Sequence, residues 1–409
     1  MEKSQKEYRD RLVTLSLVSV LLILLYGPAA DWSVAVDRVI YDQVAAHVRN
    51  EPLKDGLIIS INPAKRSRSE ISDTYGRLIE KLKPLGPARI VMAEPPDTGA
   101  SGELPGWAAA MAAVVPVFVA ADSRYADVAT KSGPLQLRTD RDGILRSATM
   151  WNLQGGIMTP SLPLAIALHD PAFAADPRLS SSDVSYFLTN YAAVPRITAA
   201  QLLGGEIDAT SIEGQTVFID SSPALVGFAA TLPSGQFVTR SEIVATLLAN
   251  IDQHKVVFAP AWIKALELFI PALLCILAVL FLPGRNRREI ILITTVAVVS
   301  LLLLDALMLL VGRVRLDIGR ALSIFVGAGA LCWWLAGTVR KAAVNAYKRG
   351  ADFLAAGRLE PAFAEFRRCA PSETVATAMY KLSLAFESQA KPERAEAVLE
   401  WMKRTHSAT

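Results

Sequence analysis

The strongest pattern in the sequence is a block of three apolar runs, residues 263–282, 290–311 and 321–338, joined by short polar connectors at 283–289 and 312–320. Each run is close to the ~20 residues that an α-helix needs to cross about 30 Å of hydrocarbon. A lone crossing segment has to satisfy its own backbone, which only a helix does. A fourth apolar run, residues 12–32, follows a basic start bearing Lys3, Lys6, Arg9 and Arg11. It reads either as a retained transmembrane anchor with Trp32 at the far interface, or as a signal peptide cut near residues 28–30. On both readings residues 1–11 stay in the cytoplasm and residue 31 onward lies outside.

Residues 33–260, between these runs, alternate differently. Residues 57–61 form a continuous apolar stretch closed by Asn62-Pro63, as a buried strand does. Residues 73–85 have helical spacing, with Leu78, Ile79 and Leu82 on one face and Gly86-Pro87 as the stop. Residues 88–93 and 114–120 read as further strands, and 107–113 as the helix between them. Strand–helix repetition of this kind predicts an α/β domain with a parallel sheet. Residues 144–153 read as a longer edge strand, 162–169 as a helix, 215–220 as a short strand and 242–250 as a helix leading to the apolar block.

Residues 340–409 are polar again and carry an internal echo. Tyr347, Gly357, Ala362 and Phe366 recur as Tyr380, Ala390, Ala395 and Leu399, a period of 33 (380 − 347). That is close to the tetratricopeptide period of about 34, which pairs helices. The expectation is a small all-α, TPR-like tail whose core is Tyr347, Phe353, Phe363, Phe366, Tyr380 and Phe386. Two repeats are few for independent stability, so the tail is expected to be covered by a cytoplasmic protein partner or a second copy.

Basic residues orient the block. Arg285, Arg287 and Arg288 fall in the first connector, and Arg340 and Lys341 follow the last run, so that connector and the start of the tail are expected in the cytoplasm, as are residues 3–11. The large domain is then extracytoplasmic and the tail cytoplasmic, in a multi-pass protein of the bacterial inner membrane. Arg313, Arg315 and Arg320 in the outer connector run against this rule, and Asp317 offsets them only slightly.

Composition agrees with a membrane protein: 409 residues, 52% of them hydrophobic, with mean hydropathy +0.33. The formal net charge of +3 gives no support for a nucleic-acid partner. The three cysteines, Cys275, Cys332 and Cys369, all lie outside the large domain, which is therefore not expected to hold disulfides. The four histidines are scattered, and no metal or cofactor is expected.

Individual residues raise sharper questions. Asp140-Arg141-Asp142-Gly143 begins like a calcium loop, but Trp151 stands where the loop would need its glutamate. The preferred reading is a turn, with aspartate side chains bonding backbone amides and Gly143 at positive φ. Asp305 lies inside an apolar run; it reads as a functional carboxylate facing the bundle interior or, preferably, as a structural hydrogen bond or proximity to the outer interface, and a lone acid gives little support for a transporter. Ser221-Ser222 follows a strand without the glycines of a nucleophile elbow, so no enzyme is expected. Ser323 and Gly327 form a small-xxx-small pair that permits close helix packing or a homodimer.

Taken together, these parts resemble CHASE2-containing bacterial membrane receptors. Residues 57–62 are similar to the family's first strand. Tyr75-Gly76-Arg77 lies where the family has a Trp-Pro-x-Pro-Arg motif. Asp140, Asp142, Gly143 and Arg146 resemble its Asp-x-Asp-Gly-x-x-Arg turn, and Thr159-Pro160-Ser161-Leu162 and Thr231-Leu232-Pro233 resemble two further stretches. The chain departs from the family at Ser60 and Asn62, where acids are usual, and at Asp220-Ser221-Ser222, where Gly-x-Thr is usual. The resemblance covers about residues 31–338, and the tail resembles the helical extension of family members fused to kinases. The chain has no kinase Gly-rich loop, His-Arg-Asp or Asp-Phe-Gly sequence. The resemblance implies a non-catalytic sensor that detects an unknown extracytoplasmic signal or protein and relays it to a separate cytoplasmic partner. The competing expectation is a structural or assembly scaffold of an envelope complex.

Overall fold

The computed structural model describes Leu15, Ser16, Ser19 and residues 30–406, except 48–50, 62–66, 97–103, 112–114, 122–123, 155, 175, 177–178, 180–184, 187–192, 222–228, 258–259 and 370–371. The basic start and most of the run at 12–32 lie outside the described residues. The chain forms two compact units, one of residues 30–270 with 301–320 and one containing 271–300 and 321–409.

The first unit is built on a six-stranded sheet of β1 (Gly56–Ser60), β2 (Arg89–Met92), β3 (Val117–Ala120), β4 (Lys131–Gly133), β10 (Arg196–Thr198) and β11 (Thr216–Asp220). Its order is β10-β1-β11-β2-β3-β4, and every pairing is parallel. A parallel sheet is covered on both faces, which is why its strands read as continuous apolar runs. One face buries Ile58, Val91, Phe118 and Phe218 beneath α4 (Leu162–Ala167) and α6 (Arg240–Asp252). The other buries Leu57, Ile59, Ile90, Val117 and Val217 beneath α2 (Arg68–Leu82), α3 (Gly106–Met111) and α5 (Ala199–Gly204).

The predicted strands and helices of this unit are present, with three adjustments. Helix α2 starts at Arg68 rather than near residue 73, because Ser67 and Glu70 close a capping box. Strand β11 enters the centre of the sheet, pairing Leu57 with Val217 and Val217 with Ile90. The predicted edge strand at 144–153 is instead two short pieces, β6 (Ser147–Thr149) and β7 (Trp151–Gln154), on either side of buried Met150. Their partners differ: β6 pairs with β5 (Leu137–Arg138) and β9 (Ser185–Tyr186), and β7 with β8 (Ile157–Pro160).

Among the described residues, three helices are long and apolar enough to cross a membrane: α7 (Ala261–Phe281), α8 (Arg287–Leu310) and α9 (Gly319–Ala355). They leave large apolar side chains exposed, among them Phe269, Leu292, Leu303 and Leu307. Within the second unit, Cys275, Ala278, Ile290, Ile324, Phe325 and Ala328 form their shared core. A close approach of α8 and α9 is at Gly329, where a Cβ would overlap Thr294.

Helix α9 does not end at residue 338. It continues for 37 residues, about 55 Å, through Ala342, Ala343 and Ala346, which favour helix. Its last turns pack with α10 (Leu359–Phe366), α11 (Glu373–Ser388) and α12 (Pro392–His406) around Ala346, Phe366, Met379, Leu382 and Phe386. The 33-residue echo appears in backbone geometry. Gly357 (φ 73°) and Ala390 (φ 54°) both end helices in the left-handed region. Arg358 N donates to Phe353 O and Lys391 N to Phe386 O, the same bond one period apart. Tyr380 departs from the expected core. It is 54% exposed, because it stands on the outer face of α11 beside exposed Leu384.

Candidate functional site

Residues 30–47, for which the sequence predicted no element beyond Trp32, form one helix, α1 (Ala30–His47). Ser33, Asp37, Tyr41 and Ala45 recur every four residues and are all buried, so they form a single stripe. A second stripe holds Asp31, Arg38 and Asp42. Each stripe grips a different part of the first unit.

The second stripe meets the turn at Asp140–Arg146. Gly143 adopts φ 79° and donates to Asp140 O, while Ile144 N donates to the Asp142 side chain at 3.2 Å. Leu145 N then donates to Thr231 O at 2.8 Å, tying the turn to another stretch with family resemblance. Arg146, 2% exposed, projects into the middle of three carboxylates. Its Nε and Nη2 donate to Asp42 at 2.8 Å each, Nη1 donates to Asp140 at 2.6 Å, and Nη1 and Nη2 donate to Asp142 at 3.0 and 2.7 Å. Arg38 adds a 3.3 Å ion pair to Asp140, and Arg141 pairs with Asp31 at 2.5 Å.

The electrostatics follow from this geometry. Hydrogen bonding from Arg146 holds the Asp142 carboxyl down at about 2. Burial acts to lower the Arg146 pKa, but its bonds to Asp42, Asp142 and Asp140 outweigh it and hold the guanidinium above its ordinary value. A guanidinium fills the place that a calcium ion would need. The cluster therefore works as a polar clamp between a turn and a helix.

The buried stripe of α1 meets the connector before α9. Asp37 accepts a hydrogen bond from Gly319 N, the first residue of α9. A side chain at Gly319 would run into Ser33 O and the Asp37 carboxyl, so the approach depends on glycine. Arg315 lies over the Tyr41 ring at 4.7 Å and pairs with Asp317 at 2.9 Å, whose own amide donates to Glu267 at 3.2 Å. These contacts partner Arg315, one of the three basic residues in that connector. Asp305, 6% exposed, lines a small cavity with Asp37, Tyr41, Arg315 and Asp317. It thus belongs to the polar junction between α1 and the connector before α9. Burial, then the charge of Asp317, push the Asp37 carboxyl up to about 7 against the opposing Gly319 amide and Arg315.

Open α/β sheets usually bind ligands at the carboxyl ends of their strands; among the described residues, the carboxyl end of β11 is occupied by internal bonds. Buried Asp220 accepts from Thr239 at 3.1 Å and lies 3.4 Å from Arg196. Tyr75 donates to Ser221 at 2.9 Å, and Ser221 donates to Glu94 O at 2.9 Å. Tyr75, Trp107 and Tyr125 stack at 5.9 and 5.3 Å. The departures noted at Asp220 and Ser221 are thus built into the core.

A family model for the CHASE2 domain matches residues 15–282, more than half of the chain. The chain belongs to the CHASE2 family. CHASE2 domains are extracellular sensory domains, and the match takes in α1, the Arg146 clamp, the sheet and α7. The later two apolar helices and the tail lie beyond it. Among curated proteins and solved structures, none matches the chain.

The sequence singled out Asp140, Asp142, Gly143 and Arg146 together, and the fold brings them together. It missed Asp42, Arg38 and Asp37, which complete the junction. The four-residue spacing of Ser33, Asp37, Tyr41 and Ala45 was the signal that could have found α1.

Proposed function

We propose that this CHASE2 protein is a membrane-embedded sensory receptor that detects an extracytoplasmic signal and relays it to a separate cytoplasmic protein. The observation that carries this reading is the double grip of α1. One stripe holds the sensory domain through Asp42 and Arg146, and the other holds the start of α9 through Asp37 and Gly319. A signal that shifts the clamp shifts the helix start, and α9 runs without a break into the tail's core. Such a signal has to bind two arrangements of the domain with different affinity; tight binding alone moves nothing.

In this reading residues 33–260 are extracytoplasmic, the apolar helices span the bacterial inner membrane, and residues 340–409 form a non-catalytic, TPR-like adaptor in the cytoplasm. The matching helix ends at Gly357 and Ala390 support the repeat. Exposed Tyr380 and Leu384 on α11 give the tail an apolar face for a partner.

Reporter fusions and a truncation test the proposal. A reporter active only in the periplasm is expected to work when inserted near residue 122 and to fail at residue 409. Removal of residues 347–409 is expected to leave the protein inserted and its outer domain protease-resistant while its cytoplasmic partner is lost on purification. A working reporter at residue 409, or the same partner recovered with both chains, contradicts the reading.

A further inference from the structure

Within the second unit, α8 and α9 enclose a cleft of about 370 Å³ lined by Arg287, Gly337, Lys341, Val344 and Asn345. Its floor is made by one side chain. The Arg287 guanidinium lies over the Trp333 ring at 4.2 Å and against Gly337, where a Cβ would collide with it. A residue without a side chain is what lets the guanidinium lie flat on α9. The Arg287 Nε is buried and has no hydrogen-bond acceptor among the described residues. A buried guanidinium donor without an acceptor is costly, so the arrangement calls for an acceptor supplied from elsewhere.

The rest of the lining has the chemistry to supplement that donor. Lys341 and Asn345 follow Gly337 at successive four-residue steps, so their ammonium and amide groups stand on the same face of α9. Exposed Val344 gives the cleft an apolar wall. Arg287 and Lys341 bring two positive charges, and no carboxylate is among the lining residues. The cleft also lies beside the exposed Trp333–Trp334 pair, the residue type that marks the headgroup level of a bilayer.

The geometry points to a binding site for a phosphate ester anion, supplied by the headgroup of an anionic phospholipid. Arginine matches phosphate oxygens in a forked geometry, lysine adds a point charge, and basic pockets between membrane helices suit such headgroups. Free phosphate carries the same chemistry and is the other source to test. The inference rests on the reading that α7, α8 and α9 cross a bilayer. The cleft lies on the stretch of α9 that leads into the tail, so an occupied site fastens α8 to the output end of α9.

Native mass spectrometry of the full chain in neutral detergent tests this, with phosphatidylglycerol, phosphatidylcholine of the same acyl chains, or inorganic phosphate added. The chain is expected to retain phosphatidylglycerol roughly tenfold better than phosphatidylcholine. Arg287→Gln, Lys341→Gln and Gly337→Ala are each expected to remove most of that preference while keeping helical content and neutral-lipid adducts. Gly337→Ala matters most, because it moves the guanidinium without changing charge. Equal retention of the two lipids, or a preference unchanged in all three variants, overturns the site. Phosphate retained alone and lost in Arg287→Gln overturns the lipid as its source. If the helices do not cross a bilayer, neither lipid is retained, which separates that failure from failure of the cleft.

Discussion

Arg146 and Asp42 meet side-on, with guanidinium Nε and Nη2 each donating to a different carboxylate oxygen at 2.8 Å. The two residues are 104 positions apart, and their pairing joins a turn of the sensory domain to α1. Removing the guanidinium strands three carboxylates around an empty centre. Arg146→Met is therefore expected to destabilise the outer domain by about 3 kcal/mol, and Arg146→Lys by less, since lysine keeps the charge and loses the fork. Chemical denaturation followed by tryptophan fluorescence measures both, and an Arg146→Met chain as stable as the wild type contradicts the clamp.

Asp37 sets a pH dependence with a defined sign. Its folded value is raised to about 7, against an unfolded value of about 3.9. Between those values the folded chain binds more protons than the unfolded chain, so stability falls as pH rises from about 4 to about 7. The Asp37 contribution then levels off. Asp37→Asn keeps an oxygen to accept the Gly319 amide and removes the titration. Its unfolding midpoint is expected to lose this slope and to exceed the wild type above pH 7. A slope unchanged in Asp37→Asn contradicts the assignment.

The two helix ends in the tail should respond oppositely to substitution. Ala390 sits at φ 54° and Gly357 at φ 73°. Left-handed backbone costs a residue with a Cβ about 1 kcal/mol more than glycine. Ala390→Gly is expected to stabilise the tail by about that amount and Gly357→Ala to destabilise it by a similar amount. Thermal unfolding of the full chain, monitored by hydrogen exchange in α11, reads both; effects of the same sign contradict the shared geometry.

Much of the fold was legible because its signals are local. The apolar runs at 263–282, 290–311 and 321–338 became α7, α8 and α9, and the first three strands with their helices fell where periodicity put them. The capping boxes at Ser67 and Thr239 are also local, and they fix two helix starts. The position of β11 was not legible. Parallel partners such as Leu57 and Val217 are far apart in sequence, and nothing near either one names the other. The site was half legible for the same reason. Asp140, Asp142, Gly143 and Arg146 lie within seven residues, whereas Asp42 and Arg38 reach them only through the fold. The end of α9 was not legible, because the sequence marks where hydrophobicity stops, while the helix continues to Ala355.

In the proposed relay, α1 couples the sensory domain to the start of α9. Hydrogen exchange at the Gly319 amide, compared between the wild type and Asp42→Ala in the full chain, tests it most directly. Asp42 touches the Arg146 side of α1, and Gly319 is bonded to Asp37 on the other stripe. The account predicts that loosening the first contact speeds exchange at Gly319 by roughly tenfold or more, the size of a 1–2 kcal/mol coupling. Faster exchange confined to residues 38–46 and 140–146, with Gly319 unchanged, would mean that α1 holds two parts without linking them and would contradict the relay.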